Sequence, residues 1–126
     1  MGGGGGPGLF EGTKGSKNSE TYTSKGLHIN SHQNKHIPGT REYQQSIANG
    51  EKRSILTENP LKLLEEYAGT GQKLTGSNKE RVDFGRVIGQ HYNDTTGQYI
   101  DTTNGIIHYD SRGGAHIVPS NPLKEP

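Results

Sequence analysis

The feature that most constrains this chain is a change of hydrophobic period near Arg81. Before it, apolar residues recur at helical spacing. After it, they alternate in short runs broken by glycine and asparagine. In IPGTREYQQSIANG, Thr40 suits an N-cap, Tyr43 and Ile47 stand four apart to face a core, and Gly50 ends the run. ENPLKLLEEYAGTG repeats the pattern: Asn59 caps, Pro60 takes the first helical position, Leu61, Leu64 and Ala68 form a stripe, and Gly69 stops it. GEKRSIL, between them, reads as a polar connection ending in two apolar residues. After Arg81, RVDFGRVIGQHY, QYID, IIHYD and AHIVP read as four short strands, with bends at Gly85 and Gly89, a turn at NDTTG and a hairpin signal at Asn104-Gly105. Helices followed by a meander predict an α+β domain, its N-terminal helices packed on a four-stranded antiparallel sheet.

Few apolar residues are available for that core, 25% of 126. The shortage is concentrated at the start. Residues 1–26, MGGGGGPGLFEGTKGSKNSETYTSKG, bury almost nothing and read as a flexible linker, leaving 27–122 as the folded domain and 123–126 as a tail. The leader lacks the apolar stretch of a signal peptide, and no segment reaches the roughly 20 apolar residues of a membrane span. The absence of cysteine excludes disulfides and thiolate chemistry. The net charge of +1 is weak, but Lys35, Arg41, Lys52 and Arg53 outnumber Glu42 and Glu51 over residues 27–57, beside three histidines. That placement suits a phosphate.

The histidines carry the chemistry. In GIIHYDSRGGAHIVPS, Ile106 and His108 share one face of a strand and Ile107 and Tyr109 the other, while His116 shares a face with Val118. A three-residue loop, Ser111-Arg112-Gly113, would set His108 across from His116; an even loop would set Tyr109 there instead, and the glycine pair favours the first. Two imidazoles at one phosphate suit RNA cleavage. One removes the 2′-hydroxyl proton, a second group protonates the departing 5′-oxygen, and a cation steadies the phosphoryl oxygens. His36 follows Lys35 just ahead of a helix start, and Arg53 and Ser54 lie in a connection where they could meet phosphate. A rival pattern, His28, His32 and His36 at four-residue spacing, would suit a metal on one helix, but LHINSHQNKHIPG has no carboxylate and ends at proline. His28, His32 and His91 therefore read as surface rings.

Taken together, QNKHIPGT, RSILTENPLKLLEEYAGTG, ERVDFGRVIGQHYNDTTGQYIDTTNGIIHY and GGAHIVPSNP resemble the bacterial polymorphic-toxin domain called toxin type 50, over roughly residues 27–122. The resemblance implies a ribonuclease of the barnase, EndoU, colicin and RelE group, with helices ahead of a four-stranded sheet and metal-independent catalysis without a cofactor. It places the family pattern on Lys35, His36, Ile37, Gly39 and Thr40, on Arg53 and Ser54, on Ile107, His108 and Tyr109, and on His116 through Pro119. His36 and His116 are then the expected acid–base pair, with His108 in reserve. Lys35 and Arg53 are expected to stabilise the phosphorane, Tyr109, Ser54 and Thr40 to position substrate, and Arg112 to bind it. The implied setting is a monomeric toxin carried at the end of a secreted protein. It would enter the cytoplasm of a competing bacterium, cut RNA there, with transfer RNA the suggested target, and be neutralised in the producer by an immunity protein. The alternatives are a non-catalytic binding module of a phage or surface assembly and a histidine–metal nuclease.

Overall fold

The structure, a computed structural model, describes residues 21–122. It is α+β. In chain order come β1 (His28–Ile29), a 3₁₀ helix (Ser31–His36), α1 (Arg41–Ala48), β2 (Ile55–Leu56) and α2 (Pro60–Tyr67). Then follow β3 (Gln72–Lys73), β4 (Lys79–Asp83), β5 (Gly89–Asn93), β6 (Gln98–Thr102), β7 (Asn104–Tyr109) and β8 (Gly114–Pro119). Both helices begin as their sequences dictate. Thr40 Oγ1 accepts the Tyr43 amide at 3.1 Å, and Asn59 Oδ1 accepts the Leu61 amide at 2.9 Å ahead of Pro60.

The expected single meander is replaced by two sheets. One runs β1-β8-β7-β4-β3, antiparallel except for the β1–β8 edge pair; the other runs β2-β5-β6. The division starts at Gly89, which pairs with Leu56 and lies so close to the Ile55 carbonyl that a Cβ would collide with it. The end of the supposed polar connection is thus a strand, β2, and it claims β5. The chain returns to the larger sheet at Thr103, whose carbonyl accepts the Phe84 amide at 2.8 Å. Asn104-Gly105 is accordingly no hairpin turn. Both residues belong to β7, paired with Asp83 and Val82, and Gly105 is not in the left-handed region a type I′ turn requires. Glycine is needed there for space: a Cβ would lie 3.1–3.2 Å from Ile88, Phe84 and Ile117.

One face of the larger sheet is the core. Val82, Ile107, Ala115 and Ile117 meet Leu63 and Leu64 of α2 and its C-cap Ala68, with Leu56 of β2 and with Phe84 and Ile88 from the β4–β5 connection. Tyr67 meets Phe84 edge to face, ring centroids 5.0 Å apart. Each fully buried Leu, Ile or Phe contributes about 1.5–3 kcal/mol. Only α2 covers the sheet in this way. Helix α1 packs chiefly on the 3₁₀ helix, so Ile47 is 40% exposed and Ser46 is the residue of α1 that is buried.

Residues 1–20 and the tail 123–126 lie outside the described residues. The last six residues of the expected linker, 21–26, form a turn docked on α2. Thr23 is buried, Ser24 Oγ donates to Glu65 Oε2 at 2.6 Å, and Lys25 Nζ donates to the Ala68 carbonyl at 3.0 Å. Among the described residues no helix is long and apolar enough to cross a membrane.

Candidate active site

The β7–β8 hairpin closes through the three-residue loop. Gly113 has φ +82°, the Asp110 amide donates to the Gly114 carbonyl at 2.9 Å, and His108 stands directly across from His116. Asp110 fixes this arrangement. Its Oδ1 accepts the Arg112 and Gly114 amides, each at 2.8 Å, and its Oδ2 accepts from Asn30 Nδ2 at 2.6 Å. These donors, the Arg112 and Gly114 amides first, hold its carboxyl below the usual range. The two rings stack with centroids 4.6 Å apart and planes 18° from parallel. They lie on the face of the sheet away from α2, because Ile107, Ala115 and Ile117 occupy the buried alternate positions.

His36 is brought to the same face by a long-range contact. Beyond β1 the sheet edge is completed by a side chain. Gln33, fully buried, donates from Nε2 to the Ile117 carbonyl at 2.9 Å and accepts the Ile117 amide on Oε1 at 2.7 Å. A 3₁₀ helix repeats every three residues, so this clamp also directs His36 to the sheet. The His36 ring lies 12° from parallel to His116 at 6.5 Å. Its Nδ1 is 2.8 Å from the Ser54 carbonyl. A carbonyl only accepts, so Nδ1 carries the hydrogen and Nε2 keeps the lone pair.

Two further residues join the row. His32 packs against His116 at 5.6 Å. Lys79 pairs with His108 in the β4–β7 register, so Lys79, His108 and His116 line up across three strands. Lysines border the row at both ends, Lys35 beside His36 and His116, Lys79 beside His108. The rings are held toward their neutral forms. Burial is the leading cause for each. Lys79 adds to it at His108, and Arg53 and Lys35 add to it at His36. His116, facing His108, His36, His32 and Lys35 as well, is pushed down to about 4. Three neutral imidazoles between two ammonium groups make a site that can take up a proton and hold an anion.

The other expected site residues fall beside this row or away from it. Arg53 is next to His36 but donates from Nε to Ser46 Oγ at 3.1 Å and pairs with Glu51 at 2.7 Å. Ser54 is buried. Its hydroxyl accepts the Tyr92 amide at 3.0 Å and lies 3.5 Å from His91 Nδ1, so it serves the site through its carbonyl. Thr40 spends its hydroxyl on the α1 cap and on the Asn34 carbonyl at 2.6 Å. Arg112 sits at the exposed hairpin tip. Tyr109 points to the opposite side of the sheet from His108, where its hydroxyl donates to Glu80 Oε1 at 2.6 Å. Burial and that carboxylate push its pKa far up. His28 meets Tyr22 edge on at 5.7 Å in β1, apart from the 3₁₀ helix, so the supposed metal stripe is not on one helix. Among the described residues no three histidine or carboxylate side chains converge as ligands would.

A cleft of about 360 Å³ lies around Glu80 and Tyr109, with Lys73 and Lys79 also in its lining. Its buried carboxylate already accepts the Gly69 and Gly71 amides, at 3.0 and 2.6 Å, besides Tyr109. That carboxylate is fully engaged and no histidine lines the cleft, so the histidine row is the candidate site.

Residues 27–119 match the family described as bacterial toxin 50. The chain belongs to that family. No curated protein and no solved structure matches it. All of the histidine row, from His32 to His116 and including both lysines, lies within the toxin 50 match.

Proposed function

We propose that this toxin 50 domain is a metal-independent endoribonuclease whose active site is the histidine row. The observation that carries the reading is the committed tautomer of His36 beside the stacked His108–His116 pair, with Lys35 and Lys79 at the ends. His36 Nε2 removes the proton of a ribose 2′-hydroxyl. The 2′-oxygen bonds to the adjacent phosphorus, and the bond from phosphorus to the 5′-oxygen breaks. The leaving oxygen takes a proton from the His108–His116 pair. Two cationic rings this close repel, so the pair holds one proton at most and titrates as a unit. An entering phosphate favours that proton, and the lysines steady the charge that grows on the phosphoryl oxygens. The products are a 2′,3′-cyclic phosphate and a 5′-hydroxyl, and DNA is spared for want of the nucleophile.

Membership of a toxin family supports the wider setting. The domain would be delivered from a secreted carrier into the cytoplasm of a competing bacterium, cut RNA there, transfer RNA included, and be restrained in its producer by an immunity protein. Incubation of the purified protein with total bacterial RNA, with and without chelator, tests the reaction. Fragments with cyclic phosphate ends in both samples are expected. Intact RNA across the pH range would refute the reading in favour of a binding module, and cutting that chelator stops would refute it in favour of a metal nuclease.

A further inference from the structure

Three tyrosines gather at the small sheet, two from its strands and one from α1. Tyr92 and Tyr99 oppose each other across β5 and β6, with ring centroids 5.1 Å apart and planes 56° apart. Tyr43 reaches from α1 to the same place: after burial, it is the first neighbour that raises the Tyr99 hydroxyl's pKa, ahead of Tyr92. None of the three is covered; each keeps part of its surface in solvent. Ile47, one turn along α1 from Tyr43, extends the patch with 40% of its surface exposed. A packing role for these rings would place them in the core, yet the core cluster contains none of them.

The patch is tied to the histidine row through two consecutive residues. The Arg53 backbone lies against the Tyr99 hydroxyl, and the next carbonyl, that of Ser54, holds the His36 ring. The Ser54 hydroxyl in turn accepts the Tyr92 amide. A phosphate placed at His36 would thus sit against the same two-residue segment that the tyrosines contact, and the neighbouring nucleotide would extend toward their rings. Aromatic faces accept any unpaired base by stacking, and a single-stranded substrate exposes such faces.

We propose that Tyr43, Tyr92 and Tyr99 form a nucleobase subsite that stacks a base of single-stranded RNA next to the phosphate held by the histidine row. The inference rests on the endoribonuclease reading. It is tested with Tyr92→Leu and Tyr99→Leu, which keep apolar bulk and lose the ring, beside Tyr92→Phe and Tyr99→Phe, which keep it. KM for a single-stranded RNA should rise about 5- to 150-fold in the leucine variants, the range for a lost stacked base, with kcat little changed and both phenylalanine variants near wild type. A non-cleavable 2′-deoxy oligonucleotide should lose affinity in parallel. On the wild-type protein, one abasic position in that oligonucleotide should cost a similar factor, a readout that needs no variant to fold. Leucine variants with unchanged KM and unchanged oligonucleotide affinity, or indifference to every abasic position, would overturn the subsite while leaving the nuclease standing. A wild-type protein that binds the oligonucleotide through these rings yet cuts no RNA would overturn the nuclease and keep the subsite.

Discussion

Lowering the pH from about 7.5 to about 4.5 should weaken the fold through the histidine row, and His116→Asn should remove much of that effect. The folded pKa of His116 is about 4 against an ordinary value of 6.5. Between those values the unfolded chain binds the proton and the folded chain does not. The stabilisation is therefore complete above about pH 6.5 and is lost as the pH falls toward 4. A gap of about 2.5 pH units, at about 1.4 kcal/mol each, sets a ceiling of about 3.5 kcal/mol. The ring is only partly buried, and solvent screening reduces this to about 1–2 kcal/mol. His36, displaced in the same direction, adds to the loss in wild type and variant alike. Urea unfolding at the two pH values measures it, and the carboxylates common to both proteins cancel in the comparison. Wild type should lose about 1–2 kcal/mol more than His116→Asn on acidification. Equal losses, or a wild type that gains stability in acid, would refute the argument from burial and neighbouring charge.

Gln33→Leu should destabilise the domain by roughly 2–4 kcal/mol in urea unfolding, because it leaves both the Ile117 amide and the Ile117 carbonyl buried without a partner. Tyr109→Phe should cost roughly 1–3 kcal/mol by removing the hydroxyl bonded to Glu80, yet leave RNA cleavage at the wild-type rate, since the two lie across the sheet from the histidines. Ser54→Ala should keep most of its activity, because the His36 ring is held by the backbone carbonyl rather than the hydroxyl.

What could be read in the sequence was what neighbouring residues decide among themselves. The Thr40 and Asn59 caps and the three-residue loop that sets His108 opposite His116 are local, and the structure has them. Ile47 and the Asn104-Gly105 pair misled because distant packing overrides local pattern: α1 leans on the 3₁₀ helix instead of the sheet, and Gly105 makes room for Phe84, Ile88 and Ile117. His32 and Lys79 carried no local signal. They reach the site only through the parallel β1–β8 pair and the β4–β7 register. Tyr109 belongs to the same short motif as His108, yet strand alternation alone requires adjacent residues to face opposite ways. The two-sheet division had its signal in Gly89, read as a bend when its real role is close approach to Ile55.

The most direct test of the account is cleavage of RNA by the chelated protein, wild type beside His36→Ala and His116→Ala, with the product ends identified. Wild type should give 2′,3′-cyclic phosphate ends, and each variant, folded by circular dichroism, should be slower by about 10²–10⁴-fold. Variants that cut at the wild-type rate, or products with 3′-hydroxyl ends, would contradict it.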